Sequence, residues 1–173
     1  MFIITPIFSF FSLLFSKNLP NTVEELNVQT YLGHWTNIYA SPTNFIFQGY
    51  GKCLTADYGL LDDGTISVVN KQIDENNQPE VISGYAYYKN SSEPGKLNVH
   101  FDGVPVDGPY WVVKLGEVVN NQYQYSIVTA PSGVSLWVLV RDLDTYYKYY
   151  DDEVKNFLDD YEFKYITISQ DNC

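Results

Sequence analysis

The sequence is poor in basic residues and in side chains that hold metals. Its 173 residues include 10 Lys and Arg against 21 Asp and Glu, a net charge of −11. Such a surface repels phosphate backbones, so nucleic acid is an unfavourable partner. There are two histidines, His34 and His100, and they form no metal-ligand or catalytic spacing. We therefore expect no metal, no cofactor and no enzymatic step.

A long apolar run occurs only at the N-terminus. Residues 1–15 are almost entirely apolar, which is short of the roughly 20 residues that a membrane-spanning helix needs. This length is typical of the core of a secretory signal peptide. We expect residues 1–16 to be a signal peptide, with cleavage near Ser16, and residues 17–173 to be one secreted domain. The alternative is an uncleaved anchor or an N-terminal core strand.

The rest of the chain is rich in aromatic and β-branched residues, which favour strands. Short segments of alternating polarity are separated by turn residues such as Asp62-Asp63-Gly64. They predict strands over 33–39, 52–61, 65–73, 81–89, 96–101, 110–115, 123–129 and 134–140. Eight sequential antiparallel strands close into an up-and-down barrel that is wide enough for one small ligand.

After Arg141 the spacing of the apolar residues changes from that of a strand to that of a helix. The apolar side chains of one helical face are Val154, Phe157, Leu158 and Tyr161. They predict a C-terminal α-helix over 152–160, with Asp151 as its N-cap, packed on the outside of the barrel. A short final strand is expected over 163–168.

The predicted topology brings Trp35 and Arg141 together. The start of the first strand and the end of the eighth lie at the same end of an up-and-down barrel, and closure makes these strands neighbours. We expect the guanidinium of Arg141 to stack on the indole of Trp35. We therefore expect structural roles for Gly33, Trp35 and Arg141. The loops 41–51, 74–80, 102–108 and 130–133 all fall at the opposite, open end.

Several motifs occur in a fixed order along the chain. They include Tyr31-Leu-Gly-His-Trp35, Gly64-x-Ile-x-Val-x-Asn70, Lys96-Leu-x-Val-x-Phe101 and Leu136-Trp-Val-Leu-x-Arg141. Taken together, the motifs cover residues 28–173 and resemble those of the lipocalins, within them the apolipoprotein D and bacterial lipocalin branch. One departure is that Asn120 and Asn121 stand where the family usually has an Asp near the penultimate turn.

The resemblance implies an all-β fold: an eight-stranded antiparallel lipocalin barrel with one C-terminal helix outside and a short final strand. It also implies extracellular binding and transport of a small hydrophobic ligand in the barrel, such as a fatty acid, a lysolipid or a sterol. The alternative is an interaction protein of the same fold, whose open-end loops bind a protein partner and whose cavity is filled.

The two cysteines, Cys53 and Cys173, accompany an apparent export signal, and an even count in an oxidising compartment favours a disulfide. The lipocalins of the apolipoprotein D type make the equivalent link. A reactive thiol at Cys53 is the alternative.

Alternation along the strands predicts which side chains face the interior. The expected ligand-binding residues are Tyr39, Leu54, Ala56, Tyr58, Val68, Asn70, Phe101, Tyr110 and Trp137. Aromatic walls suit an apolar ligand, and the Asn70 amide would orient a polar group. Five of them, Tyr58, Asn70, Phe101, Tyr110 and Trp137, also match pocket positions in the resembling family. The alternative is that these side chains only pack the barrel.

Two further features are expected on the protein surface. Phe45, Ile46 and Phe47 form an apolar tip at the predicted open rim, either as a portal with weak membrane or lipoprotein contact or as a loop folded over the mouth. Asn90 begins an Asn-Ser-Ser sequon in a predicted turn, which makes it a candidate glycosylation site.

Overall fold

The computed structural model of the protein describes residues 18–173, apart from the side chains of Phe47 and Gln48. The predicted signal peptide, residues 1–16, lies outside this part of the chain. The strands within the described part are β1 (Gly33–Ala40), β2 (Gly51–Leu60), β3 (Ile66–Asp74), β4 (Pro79–Tyr88), β5 (Lys96–Phe101), β6 (Gly108–Leu115), β7 (Val118–Val119), β8 (Gln122–Tyr123), β9 (Tyr125–Thr129), β10 (Leu136–Val140) and β11 (Ile166–Thr167).

Eight of these strands form the predicted closed antiparallel barrel. The sheet runs in the order β10-β9-β6-β5-β4-β3-β2-β1, and β1 pairs with β10 to complete the ring. Thr36 lies opposite Val140 across the closing pair. β11 adds to β1 on the other side, with Thr167 opposite Tyr39. The predicted final strand is thus reduced to two residues.

The barrel strands agree with the prediction to within a few residues, with one exception. The predicted strand 123–129 enters the barrel only at Tyr125, because Gln122–Tyr123 pairs instead with Val118–Val119 in a separate hairpin. Asn120 and Asn121 form the turn of this hairpin with φ of +50° and +61°. Asn tolerates this left-handed conformation, so the turn forms without the Asp of the related sequences.

The helices are more numerous than predicted. They are α1 (Val28–Tyr31), α2 (Phe45–Gln48) after a 3-10 turn at Pro42–Asn44, α3 (Leu143–Tyr149) and α4 (Asp151–Asp160). The tyrosine-rich run of α3 has no clear apolar stripe, so its period did not predict a helix. Asp142 caps it by accepting a hydrogen bond from the Thr145 amide at 2.8 Å.

The predicted N-cap of the last helix is wrong. Asp151 is the first residue of α4, and Tyr150 precedes it without a side-chain cap. The carboxylate of Asp151 instead accepts hydrogen bonds from the Tyr39 hydroxyl at 2.6 Å and from Lys155 Nζ at 2.8 Å. These partners fasten α4 to the outside of the barrel.

A layer of apolar side chains lies between the barrel and its outer helices. Val154 and Leu158 of α4 are fully buried against Ile38 and Val138 of the strands. Because α4 covers the outer face here, β9 is buried along its whole length, Tyr125–Thr129. A strand buried on both faces loses the alternation that reveals its inward side.

Tyr39 belongs to this outer layer, which corrects its predicted place inside the barrel. The pairing of β1 with β10 shifts between Asn37 and Tyr39. A bulge of this kind moves the following side chain to the opposite face. Tyr39 therefore packs with the helix-facing residues and donates its hydroxyl to Asp151.

Leu54 is also displaced from its predicted neighbours. Cys53 has a φ of +56°, and the pairing of β2 with β3 skips from Lys52 to Thr55. Leu54 consequently packs in a separate cluster with Ala40, Phe45 and Ile168 rather than with Ala56 and Tyr58.

The C-terminal tail is tied to the barrel at this irregular point. Cys53 and Cys173 form the predicted disulfide, with Cα atoms 5.5 Å apart. Next to it, the Cys53 amide donates to the Ser169 carbonyl at 2.9 Å. The tail thus fills the gap that the irregularity leaves beside β2. No helix in the described part of the chain combines the length and apolarity needed to cross a membrane.

Candidate functional site

The closed end of the barrel is sealed by Trp35 and Arg141. Trp35 is fully buried, and the guanidinium carbon of Arg141 lies 3.6 Å from the centroid of the indole ring. Gly33 has a φ of +96°, and a Cβ there would lie 3.4 Å from Arg141 Nη1. The site therefore needs glycine both for its backbone conformation and for the close approach of the cation.

The same guanidinium binds backbone carbonyls around the end of α1. It donates to the carbonyl oxygens of Thr30, Tyr31, Leu32, His34 and Tyr123 at 2.7–3.2 Å. These oxygens include carbonyls that the end of a helix leaves without partners. Burial lowers the pKa of Arg141 to about 10, so the group remains a cation at neutral pH.

A hydrogen-bonded layer of tyrosines lies above this seal inside the barrel. The Tyr31 hydroxyl lies 2.7 Å from that of Tyr110 and 2.8 Å from Ser126 Oγ, and the Tyr58 hydroxyl lies 3.0 Å from that of Tyr110. Burial raises the pKa of Tyr31 to about 12 and that of Tyr58 and Tyr110 further, so all three are neutral phenols.

The closed half of the barrel is filled by its own side chains. A cavity of only about 10 Å³ remains among residues that include Leu26, Val28 and the three tyrosines. This is roughly the space for one water. Tyr58 and Tyr110, which were predicted to contact ligand, lie among these packed side chains and form a floor inside the barrel.

The open half contains the other predicted residues. Ala56 and Val68 are buried in the interior cluster, while Phe101 and Trp137 pack against it and keep part of their surface open to solvent. Gly84 lies opposite Phe101, where an added Cβ would come within 1.9 Å of the His100 carbonyl oxygen. This glycine lets β4 and β5 approach closely beside the Phe101 ring.

Two asparagine side chains face this open half. Asn70 lies opposite Ala56, and Asn37 lies opposite Leu139, both of which belong to the interior cluster. The Oδ1 atoms of Asn37 and Asn70 are buried and have no hydrogen-bond partner among the described residues. Asn37 was not predicted as a site residue. The sequence could have identified it, because Asn37 follows Trp35 by two residues and strand alternation gives both side chains the same face.

A family model described as a lipocalin-like domain matches residues 26–159. The chain belongs to the lipocalin family.

Related lipocalins come from several kingdoms. The chain is 30% identical to Apolipoprotein D of Macaca fascicularis over 164 residues, which are 89% of this chain and 82% of that protein. It is 35% identical to Apolipoprotein D of Rattus norvegicus over 94 residues, 54% of this chain and 48% of that one. This second match thus spans about half the length of the curated relative. The outer membrane lipoprotein Blc of Vibrio cholerae is 33% identical over 120 residues, 69% and 67% of the two chains.

Solved lipocalin structures share the fold. The major cockroach allergen Per a 4 superposes with a TM-score of 0.64 at 17% identity, over 91% of this chain and 97% of that one. Apocrustacyanin C1 superposes with a TM-score of 0.61 at 14% identity, over 83% and 79%. At these identities the likeness concerns the fold alone.

The rim of this lipocalin is apolar, and Ile46, one of the three side chains predicted there, contributes to it. Phe45 is buried and stacks on Tyr50, so it is not available at the surface; Phe47 lies outside the described side chains. Ile46 is 78% exposed. The exposed apolar side chains of the open-end loops, here called the rim, are Ile46, Tyr50, Val104, Val106 and Val134.

The cations of the barrel strands lie on its outer face. Lys71 pairs with Asp57, Lys96 with Glu93 and Lys114 with Glu153. Lys52 also occupies an outward position, since it lies opposite Ile73, two residues from the outward Lys71. Arg141 lies below Trp35. The open half thus has no cation directed into it from the described strands.

Two other predicted features lie on the surface. His100 faces outward, as alternation predicts, and its Nδ1 is 2.9 Å from Asp107 Oδ1. Asn90 lies in an exposed turn, where its Oδ1 accepts from the Ser92 amide at 3.1 Å. Its glycosylation stays a prediction. Among residues 18–173, no group of three or more His, Cys, Asp and Glu side chains is placed to hold a metal ion.

Proposed function

We propose that this lipocalin binds a small hydrophobic ligand in the open half of its barrel, between the tyrosine layer and the rim, and that it does not act as an enzyme. The observation that supports this most directly is the pair of inward aromatic side chains, Phe101 and Trp137, which are partly open to solvent above a filled floor. Aromatic walls with few polar groups are typical of small-molecule sites.

The filled floor limits what the site accepts. Because Tyr31, Tyr58 and Tyr110 bond to one another, a ligand gains little by reaching below them. The ligand therefore contacts Ala56, Val68, Asn70, Phe101 and Trp137, as the sequence predicts, and not Tyr39 or the hydroxyls of the floor.

The three tryptophans provide the test. Trp35 is fully buried at the closed end of the barrel. Trp111 lies on the outer face under the Lys96 ammonium, and Trp137 borders the proposed site. Delipidated protein is titrated with a fluorescent fatty-acyl probe while tryptophan emission is followed. We expect saturable quenching with one site per chain, largely lost in Trp137→Phe and kept in the control Trp111→Phe.

The opposite result favours the alternative function. If the wild-type protein shows no saturable quenching and organic extraction releases no lipid, then the barrel is only a scaffold. The open-end loops would in that case be the binding surface for a protein partner.

Secretion is a further part of the proposal. The Cys53–Cys173 disulfide suits an oxidising compartment, and the apolar residues 1–15 have the length of a signal core. Expression of the full chain in a secreting eukaryotic host, followed by N-terminal sequencing, tests it. We expect a mature protein in the medium that begins near Lys17. Retention in the cell with an intact Met1 would contradict secretion.

The rim supports a second proposal, weak contact with a lipid or lipoprotein surface. Ile46 and Val106 are 78% and 73% exposed on different open-end loops, so the mouth offers apolar side chains to a lipid surface from two sides. The net charge of −11 favours a zwitterionic over an anionic lipid surface.

Liposome flotation tests the rim. Phosphatidylcholine vesicles should float the wild-type protein but not Ile46→Ser/Val106→Ser. The matched control is Leu60→Ser/Val118→Ser, which removes exposed apolar side chains at the closed end and should float as the wild type does. Equal flotation of both double variants would exclude the rim as the contact surface.

A further inference from the structure

Asn37 is one of two inward asparagines among the described residues whose amide oxygen has no hydrogen-bond partner. Its side chain is only 5% exposed, and its Oδ1 has no hydrogen-bond partner among the described residues. The backbone carbonyl of the same residue is satisfied by Gln170 Nε2 at 3.0 Å. A buried amide oxygen without a partner is unfavourable, and a bound hydrogen-bond donor would relieve that cost.

Asn37 lies on the path of a ligand that enters from the mouth. It is opposite Leu139, and Trp137 lies one register step nearer the open end, opposite Ala40. A ligand that reaches Asn37 therefore passes the partly exposed indole. The fully buried Trp35, two residues earlier on the same face, closes the barrel below.

A second amide of the same kind lies on a neighbouring wall. Trp35, Ala56 and Asn70 occupy one row across β1, β2 and β3. Oδ1 of Asn70 is also buried without a partner among residues 18–173, although the residue as a whole is only partly buried. Both free acceptors therefore face the barrel interior and lie outside the hydrogen bonds of the tyrosine layer.

The charges around this half oppose an anionic ligand. The strand lysines face outward, and Arg141 is held below Trp35 by five carbonyls. Near the mouth, Glu80 is the partner of Gln72 Nε2 at 2.6 Å, on the register that faces inward. A carboxylate buried beside Asn37 would meet no counter-ion and would be strongly disfavoured.

From these observations we infer that the natural ligand is a neutral lipophilic alcohol whose hydroxyl donates a hydrogen bond to Asn37 Oδ1, rather than a fatty-acid anion. The inference rests on the proposed function and names its ligand class. A hydroxyl can donate to the amide oxygen and accept from an amide nitrogen, whereas a carboxylate only accepts. Asn37 is thereby a specificity-determining residue, and Asn70 offers a second buried acceptor on a residue that is less buried as a whole.

Matched ligands test the inference at pH 7.5. Quenching of tryptophan emission is measured with a long-chain primary alcohol, the fatty acid of equal chain length and its methyl ester. We expect the alcohol to bind the wild-type protein about tenfold more tightly than either the acid or the ester, because only the alcohol donates to Asn37 without burying a charge.

The variants separate a binding role from a structural one. Asn37→Leu should weaken alcohol binding about tenfold, leave ester binding unchanged and raise the urea midpoint, because it removes an unpaired polar atom without creating a cavity. Asn70→Leu should have a smaller effect. The control is Asn98→Leu, at an outward position of β5, which should bind all three ligands as the wild type does.

The outcomes are distinct. Equal or tighter binding of the acid, or unchanged alcohol binding in Asn37→Leu, overturns the inference but leaves the binding function standing. A loss of urea midpoint in Asn37→Leu would show a structural role for Asn37 and also overturn it. The absence of quenching by all three ligands overturns the inference together with the proposed function.

Discussion

At the scale of single residues, Arg141 has the largest set of interactions at the closed end. Its guanidinium stacks on the Trp35 indole and donates to five carbonyls, three of them at the end of α1. A planar group with several donors in fixed directions suits this arrangement, and a lysine ammonium does not. The seal therefore depends on the shape of the cation as much as on its charge.

We expect Arg141→Leu to lower the free energy of unfolding by about 3 kcal/mol, because it leaves buried carbonyls unpaired. Arg141→Lys should recover only part of this loss. Urea unfolding, followed by circular dichroism, measures both. Lys148→Met, at an exposed site on α3, is the control and should unfold as the wild type does. Full recovery by lysine would mean that charge alone is sufficient.

The tyrosine layer predicts sensitivity to alkali. Burial raises the pKa of Tyr31 to about 12, and the unfolded chain ionises near the ordinary value of about 10. A raised pKa in the folded state means that the stabilisation is complete below pH 10 and is lost as the pH rises through the folded value. Tyr58 and Tyr110 act in the same direction.

We therefore expect the free energy of unfolding to fall above pH 10, by up to about 1.4 kcal/mol per pH unit for each tyrosine of the layer. Urea unfolding at pH 8, 10 and 11 measures the slope. Tyr31→Phe should reduce it, while Tyr149→Phe, at an exposed site on α3, should behave as the wild type does. If Tyr31→Phe left the pH dependence of the unfolding free energy unchanged, the tyrosine layer would be excluded as its source.

At the scale of elements, the barrel wall separates two apolar layers with different roles. The inner layer holds the tyrosine floor and the proposed ligand site. The outer layer joins β1, β9 and β10 to α4 through fully buried side chains such as Leu158. A change in the outer layer should therefore affect stability without affecting the ligand.

Leu158→Ala tests this separation. It should lower the free energy of unfolding by about 2–5 kcal/mol through lost burial and a residual cavity, and leave the dissociation constant of a bound probe unchanged. Asn156→Ala, exposed on the same helix, is the control. A weakened probe affinity in Leu158→Ala under folding conditions would show that the two layers are coupled.

At the scale of the whole molecule, the disulfide joins positions far apart in the chain. Cys53 and Cys173 are separated by 120 residues, and their bond anchors the tail beside the irregular part of β2. Closing so long a loop restricts the unfolded chain more than it changes the folded one.

We expect Cys53→Ser/Cys173→Ser to lower the free energy of unfolding by about 4–5 kcal/mol in the chain-entropy model. The measurement is urea unfolding of the double variant against the oxidised wild type. The reduced wild type serves as a control and should match the double variant. A difference below about 1 kcal/mol would mean that the unfolded chain is not restricted in this way.

The amino-acid pattern was sufficient to predict the order of the strands and the contact between distant residues. Alternation, turn residues and the closure of an eight-stranded barrel are local or topological rules. They were sufficient to bring Arg141 onto Trp35. The Cys53–Cys173 pairing rested in addition on the even cysteine count and the family resemblance, and the structure contains it.

The set of side chains that line the open half depends on contacts that form only in the folded barrel. The bulge beside Tyr39 reversed the face of that side chain, and the irregularity at Cys53 gave Leu54 different neighbours. The filling of the floor by Tyr58 and Tyr110, and the unpaired oxygen of Asn37, depend on partners across the barrel. No local pattern carries that information, because hydrogen bonding between distant strands is settled only when the ring is closed.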